Sequence, residues 1–216
     1  FIYLFQLYWS ELQPVVVCGY NRPEYALPPN FEFYSISNVN YPAERWSDGF
    51  IQFLKDQSDK HFVFLLVDYW LSRTVDVRGV GTVADYIQFK DNVLRMDLTA
   101  DRLYAGGMFD VEAYGCYDII ETPKETPYQF STQAGIWNRE LMLSLLEPNK
   151  SPWDVEVQTS VPETMRVLGT RQYLVRYANA MLKGKLDMIQ INMIPEDHRR
   201  HVMGMIPADV LEKSNV

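Results

Sequence analysis

One stretch constrains the fold more than any other: Phe62-Val63-Phe64-Leu65-Leu66-Val67, preceded by His61 and closed by Asp68-Tyr69-Trp70. It is far shorter than the roughly 18 apolar residues of a membrane span. It also lacks the apolar/polar alternation of a strand with one wet face. A strand over His61 to Val67, apolar on both sides, is what the centre of an α/β sheet with helices on both faces requires. Such sheets bind ligands beyond the C-terminal ends of their strands. Asp68, Tyr69 and Trp70 therefore form the first candidate site, in which two aromatics wall a planar or sugar ligand and the carboxylate holds a hydroxyl or a metal. The alternative for Asp68 is a strand-end aspartate that caps the following turn.

The rest of the chain agrees with an α/β class. Phe1 to Trp9 has helical spacing, and Val15 to Gly19 is a compact buried strand behind Pro14. Three prolines make 22–30 a loop, followed by a short strand from Phe31 that ends near Asn38. Trp46, Phe50, Phe53 and Leu54 form the stripe of a surface helix over Trp46 to Lys55. Asp76 caps a helix to about Phe89, and Asn92 to Leu98 reads as a strand. Gly106, Gly107 and Gly115 mark a loop-rich middle before a strand at Tyr117 to Glu121. Ser131 to Leu146 reads as a helix capped by Ser131 or Thr132, with Ile136, Trp137, Leu141 and Leu145 buried. Ser151-Pro152 opens another, with Asp154 placed for a capping box. Strands at Val167 to Gly169 and Tyr173 to Asn179, then a short polar helix from Pro195, complete the pattern.

At 216 residues the chain suits one domain, 1–216. A net charge of −8 argues against broad nucleic-acid binding, which needs many cations on phosphates. Cys18 and Cys116 read as two buried free thiols of a reducing, cytoplasmic compartment. Phe1 opens inside an amphipathic pattern, so a preceding segment is expected.

Gln133 and Trp137, four apart on the expected helix, can present an amide and an indole to a sugar; core packing is the ordinary role of such a tryptophan. Trp153 adjoins Asp154 and Glu156. Capping accounts for Asp154, whereas Glu156, a carboxylate beside an aromatic, can take a proton from an attacking hydroxyl. His61 opens the core strand. His198 and His201 lie in a charged stretch that reads as a solvated face, and there is no zinc spacing. Dinucleotide, Walker, hydrolase-elbow and zinc-protease motifs are missing from the sequence.

Taken in order, Leu7-Tyr8-Trp9 with Val15 to Gly19, Trp46-Ser47 with Phe50 to Leu54, Leu65 to Trp70, Tyr128 to Trp137, and Ser151-Pro152-Trp153-Asp154-Val155-Glu156 resemble the GT-A fold of nucleotide-diphospho-sugar transferases. The resemblance implies a three-layer α/β domain with an open twisted mixed sheet, whose first strand lies upstream of Phe1. It implies a nucleotide-sugar donor and a glycan or other hydroxyl acceptor. Asp68, Tyr69, Trp70 and Arg73 fall on the donor side, Gln133, Trp137 and Trp153 on the acceptor or sugar side, and Glu156, or failing it Asp154, is the base. Asp68 becomes the ligand of a divalent metal (Mn or Mg), although the family's Asp-x-Asp is reduced here to one aspartate. Arg73, Arg139 and Lys124 are the candidate cations for the departing diphosphate. Two other readings are a non-catalytic sugar-nucleotide or glycan-binding module and a sugar-phosphate nucleotidyltransferase.

Overall fold

The structure, a computed structural model, describes residues 1–36, 41–208, 210 and 211. The chain opens with α1 (Ile2–Tyr8), β1 (Val15–Gly19) and β2 (Phe31–Ser35). β1 and β2 pair in parallel as a two-stranded sheet. The expected end of the second strand at Asn38 lies outside the described residues.

α2 (Trp46–Asp56) presents Phe50, Phe53 and Leu54 inward, as its spacing predicts. β3 (His61–Phe64) follows, then β4 (Tyr69–Leu71), α3 (Val77–Ile87), β5 (Val93–Asp97) and α4 (Asp101–Tyr104). Asp76 caps α3 by accepting from Gly79 N. Next come β6 (Phe109–Tyr114), β7 (Tyr117–Glu121), β8 (Gly135–Asn138), α5 (Arg139–Leu145), α6 (Pro152–Gln158) and β9 (Arg166–Thr170). The chain ends with β10 (Tyr177–Asn179), the small hairpin of β11 (Met181–Leu182) and β12 (Lys185–Leu186), α7 (Met188–Ile191) and α8 (Glu196–Gly204).

The main sheet is six-stranded and mixed, in the order β3-β8-β5-β9-β7-β6. Its centre is β5, buried along its whole length, with β8 antiparallel on one side and β9 parallel on the other. One face carries Met96, Ile136 and Leu168 against Phe5, Val83 and Ile87; the other carries Leu94, Trp137 and Val167 against Phe50, Leu54, Met142 and Val155. Each large apolar side chain buried this way contributes about 1.5–3 kcal/mol. Among the described residues no helix is long and apolar enough to cross a membrane.

Several expectations are corrected. The run from His61 is not central: its strand stops at Phe64 and lies at the rim of the sheet, while Tyr69 and Trp70 open a new strand that pairs with β10. Ser131 to Leu146 is not one helix. Ile136 and Trp137 belong to a strand buried on both faces, and the cap of the following helix is Asn138, which accepts from Glu140 N and Leu141 N. A buried strand running directly into a helix imitates a longer helical stripe, because neither part is long enough to show its own period. Gln133 and Trp137 therefore share no helix face. The glycine-rich middle forms a hairpin of β6 and β7, turning at Gly115 with φ +62°, a conformation glycine adopts without strain. Cys116, in that turn, is exposed rather than buried; Cys18 is half-buried, and both thiols are free. The strand expected from Tyr173 begins only at Tyr177.

Candidate functional site

β3, β5 and β9 end on the same edge of the sheet, as their pairings with β8 and with each other require. The segment 128–134 enters β8 from that edge, since Gly135 pairs with both Phe64 and Asp97. Three groups of polar residues collect there, and a fourth set, the candidate cations, reaches the edge only through Lys124.

The first is buried. Asp97 ends β5 at 0 % exposure, and Arg95 and Arg102 are at 0 % and 1 %. Arg95 Nη2 donates to Asp97 Oδ1 (2.8 Å), and Thr99 Oγ1 donates to both carboxylate oxygens (3.1 Å each). Arg102 reaches Asp101 through Nε (3.1 Å) and Nη2 (2.7 Å) and donates to the Tyr128 carbonyl (3.1 Å). Space for the two arginine side chains comes from two glycines. A Cβ on Gly135 would fall 3.0 Å from Arg95 Nε, and one on Gly169 would fall 3.1 Å from Arg102 Cβ. Burial raises the Asp97 pKa, and Arg95 works against that rise. The sequence reading missed this cluster. Its signal was the charged pattern Arg95-x-Asp97-x-Thr99-x-Asp101-Arg102 at the end of an otherwise apolar strand.

The second is Glu156. Ser151 and Asp154 form the predicted capping box at the start of α6, with Pro152 in its first turn. Two residues further on, about 200° around the helix, Glu156 points elsewhere. Its Oε1 accepts from Thr132 N (2.5 Å) and Thr132 Oγ1 (2.6 Å). No hydrogen bond to Oε2 is present among the described residues. Glu156 lines a polar cleft of about 170 Å³ together with Lys124, Thr126, Tyr128 and Gln129. Asp154 instead lines a separate depression with Ser144, Glu147 and Lys150. The Ser151 hydroxyl and backbone N–H hold Asp154 below the usual carboxylate range.

The third is Asp68 with the aromatics. Asp68 is half-buried, and desolvation raises its pKa. Tyr69 stacks on Tyr177 across the β4/β10 pair, with ring centroids 4.1 Å apart and planes 13° apart. Burial pushes the Tyr69 hydroxyl up to about 12, with the fields of Glu156 and Asp68 adding to the shift. Tyr177 is raised first by burial, then by Tyr69 and Asp97. Tyr69 thus lies within electrostatic reach of both Asp68 and Glu156. Trp70 is half-buried against the apolar core.

The fourth is the set of cations. Lys124 lines the Glu156 cleft, and its Nζ donates to the Met165 carbonyl. Arg139 lies at the opposite end of β8, donating to Asp59 O (2.9 Å) and Leu54 O (3.4 Å). Arg73 is exposed near Tyr8.

The structure therefore brings Glu156, Lys124 and the Tyr69 side of Asp68 toward one edge. It leaves Asp154 on another flank of α6, Trp137 sealed at 0 % exposure, and Gln133 half-buried in the segment before β8. Trp153 is 66 % exposed, one helical turn before Val157, which lines the Glu156 cleft. His61 is half-buried, and His198 accepts or donates at Tyr3 Oη (2.9 Å) on the far side of the core. Among the described residues no three His, Cys, Asp or Glu side chains converge. A magnesium-type ion held by one carboxylate and substrate phosphates needs no such group; Asp68 is the residue that would hold it here. No protein-family model matches the chain, and no curated protein matches it either.

Proposed function

We propose that this protein is a glycosyltransferase of the GT-A type, moving a sugar from a nucleotide-sugar to an acceptor hydroxyl by direct displacement. The observation that carries the reading is the setting of Glu156. One oxygen is fixed by two donors of Thr132, and the residue lines a polar cleft that Lys124 also lines. A general base needs this combination of fixed orientation and an unoccupied basic oxygen within reach of a proton. In this scheme the acceptor hydroxyl gives its proton to Glu156 Oε2 as its oxygen attacks the anomeric carbon, and the bond to the nucleoside diphosphate breaks. Lys124, which lines the same cleft, would offset charge on the departing diphosphate. Asp68 would hold a divalent cation if one accompanies the donor, supplying Lewis-acid charge at the phosphates. Exposed Trp153, one helical turn before Val157 of the cleft, would supply an aromatic surface, while Tyr69 is buried against Tyr177.

The test is release of nucleoside diphosphate from a panel of nucleotide-sugars with a broad set of hydroxyl acceptors, run on native protein and Glu156→Gln. The substitution keeps the shape and removes the base, so kcat falls by about 10² to 10⁴ while donor affinity changes little. Transfer that persists in Glu156→Gln sinks the assignment of the base. Donor binding without transfer to any acceptor would make the chain a binding module.

A further inference from the structure

Among the described residues three other than glycine have positive φ: Tyr128 (+56°), Asn149 (+60°) and Lys183 (+51°). Two of them follow from the fold. Lys183 and Gly184 (φ +78°) form the two-residue turn between β11 and β12, and a turn that follows the twist of its strands needs positive φ at both positions. Asn149 is of a residue type that visits this region readily, and its N–H donates to Asp48 Oδ2 (2.7 Å). Neither account covers Tyr128. It lies in the irregular segment between β7 and β8, and a bulky residue in the left-handed region is strained and persists only where its surroundings enforce it.

The surroundings do enforce it. Arg102, buried and itself bound to Asp101, donates from Nη2 to the Tyr128 carbonyl (3.1 Å). The next residue, Gln129, is buried and donates from Nε2 to Pro123 O (2.8 Å) and Thr122 Oγ1 (3.2 Å). Phe130 is sealed against the Trp137 ring at 4.8 Å between centroids. On the other side Thr126 N donates to Pro123 O (3.0 Å). All of this holds in place a side chain that the fold does not use. Tyr128 is 50 % exposed, and among the described residues its phenol makes no hydrogen bond and its ring meets no other ring. It lines the cleft of Glu156 and Lys124. Backbone strain of this kind gathers at ligand clamps, and here it sets an aromatic residue at a polar cleft.

We infer that Tyr128 is the stacking platform for a pyranose ring in the Glu156 cleft, so that the acceptor is itself a sugar. Taking that ring for the acceptor rests on the proposed transfer, in which Glu156 receives the proton of the attacking hydroxyl. A pyranose has two kinds of surface. One face presents C–H groups, whose slightly positive hydrogens suit the electron-rich face of a phenol ring. The rim presents hydroxyls, which need both acceptors and donors. Glu156 is an acceptor and Lys124 a donor in the same cleft. An aromatic surface with a few convergent polar groups is the ordinary composition of a site for such a ligand. A serine or threonine acceptor in a peptide brings no flat C–H face, and a lipid alcohol brings a chain that a polar cleft does not favour. Neither uses an exposed ring held against its own backbone preference.

Binding of methyl hexopyranosides (gluco, galacto, manno and N-acetylglucosamine forms) tests it, by NMR titration of native protein, Tyr128→Phe, Tyr128→Ala and Tyr128→Gly, alone and with nucleoside diphosphates present. Native protein should bind at least one of these sugars and Tyr128→Phe should match it, because the ring rather than the hydroxyl makes the contact. Tyr128→Ala and Tyr128→Gly should bind about tenfold more weakly. Melting separates that loss from damage to the fold. Glycine suits a φ of +56° and alanine does not, so Tyr128→Gly should melt higher than Tyr128→Ala while both lose the sugar. Undiminished binding in Tyr128→Gly, an equal loss in Tyr128→Phe, a Tyr128→Gly that melts below Tyr128→Ala, or native protein that binds no pyranoside overturns the proposal. Tyr128-dependent sugar binding by a protein that transfers nothing upholds the sugar site and sinks the transfer reading alone.

Discussion

Asp97 and Glu156 approach the same edge of the sheet and are built to opposite specifications. Asp97 is sealed at 0 % exposure with both oxygens engaged, by Arg95, Thr99 and the backbone N–H of Arg102. Glu156 is half-buried and lines a cleft, with one oxygen fixed by Thr132 and no hydrogen bond to the other among the described residues. A carboxylate whose lone pairs are all spent inside a dry cluster can organise structure but has nothing left to offer a substrate. One that is oriented yet half open can exchange a proton. On the proposed function, the degree of closure at this edge, rather than the presence of charge, separates scaffold from chemistry.

The largest effect that can break this comparison comes from Asp97→Ala. It leaves Arg95 buried beside Trp137, 5.5 Å from the ring centroid, without its hydrogen-bonded carboxylate and with only Asp101 at 3.9 Å. Removing one partner of a buried pair costs about 3–5 kcal/mol, so the denaturant midpoint should collapse. Replacing Arg95 by Met and Asp97 by Leu together should recover much of that loss. If Asp97→Ala folds with native stability, Asp97 is not scaffold and belongs with Glu156.

Thr132→Val sharpens the other side. It removes the hydroxyl donor to Glu156 and keeps the backbone N–H, so stability should fall by about 1–3 kcal/mol and turnover should drop with it. Thr132→Ser restores the donor and should restore both. A turnover loss in Thr132→Val that serine does not rescue would mean that the hydroxyl does not orient the base.

These contrasts bear on what was legible in the sequence. Ser151, Pro152 and Asp154 announced their capping box because the motif is local: every atom involved lies within one helical turn. β5 and α2 were readable from composition and stripe for the same reason. The partner of Glu156 was not, because Thr132 is 24 residues away and stands in a segment whose helical appearance came from the strand Gly135–Asn138 running into a helix. Arg95 and Asp97 were passed over because buried charge contradicts the apolar pattern by which a core strand is recognised. Only the neighbouring strands, with glycine at 135 and 169, make room for it.

A smaller effect separates the two acids of α6. Ser151→Ala removes the side-chain acceptor for Asp154 N, and loss of such a cap costs about 1 kcal/mol. It should lower the melting temperature by a few degrees and leave turnover at the native level. Asp154→Asn should behave likewise, since Asp154 faces a different depression from Glu156. A turnover loss in Asp154→Asn as deep as that of Glu156→Gln would move the base to Asp154.

The smallest effect tests whether Asp68 belongs with the open or the sealed carboxylates. Desolvation raises its folded pKa above the ordinary value of 3.8. An acid raised in this way favours the folded state below its unfolded pKa, and that contribution is lost as pH rises through the folded pKa. Native protein should therefore lose ground to Asp68→Asn as pH rises above 3.8 through the raised folded pKa. Thermal melts of the two proteins across that range measure it. A nucleotide-sugar that binds through Asp68 adds a second signature: it should raise the melting temperature of native protein more than that of Asp68→Asn, because ligand stabilises by mass action only where it binds the folded state. If the two proteins melt in parallel at every pH and respond equally to donor, Asp68 is a turn residue, and Glu156 with Lys124 is left as the whole of the site at this edge.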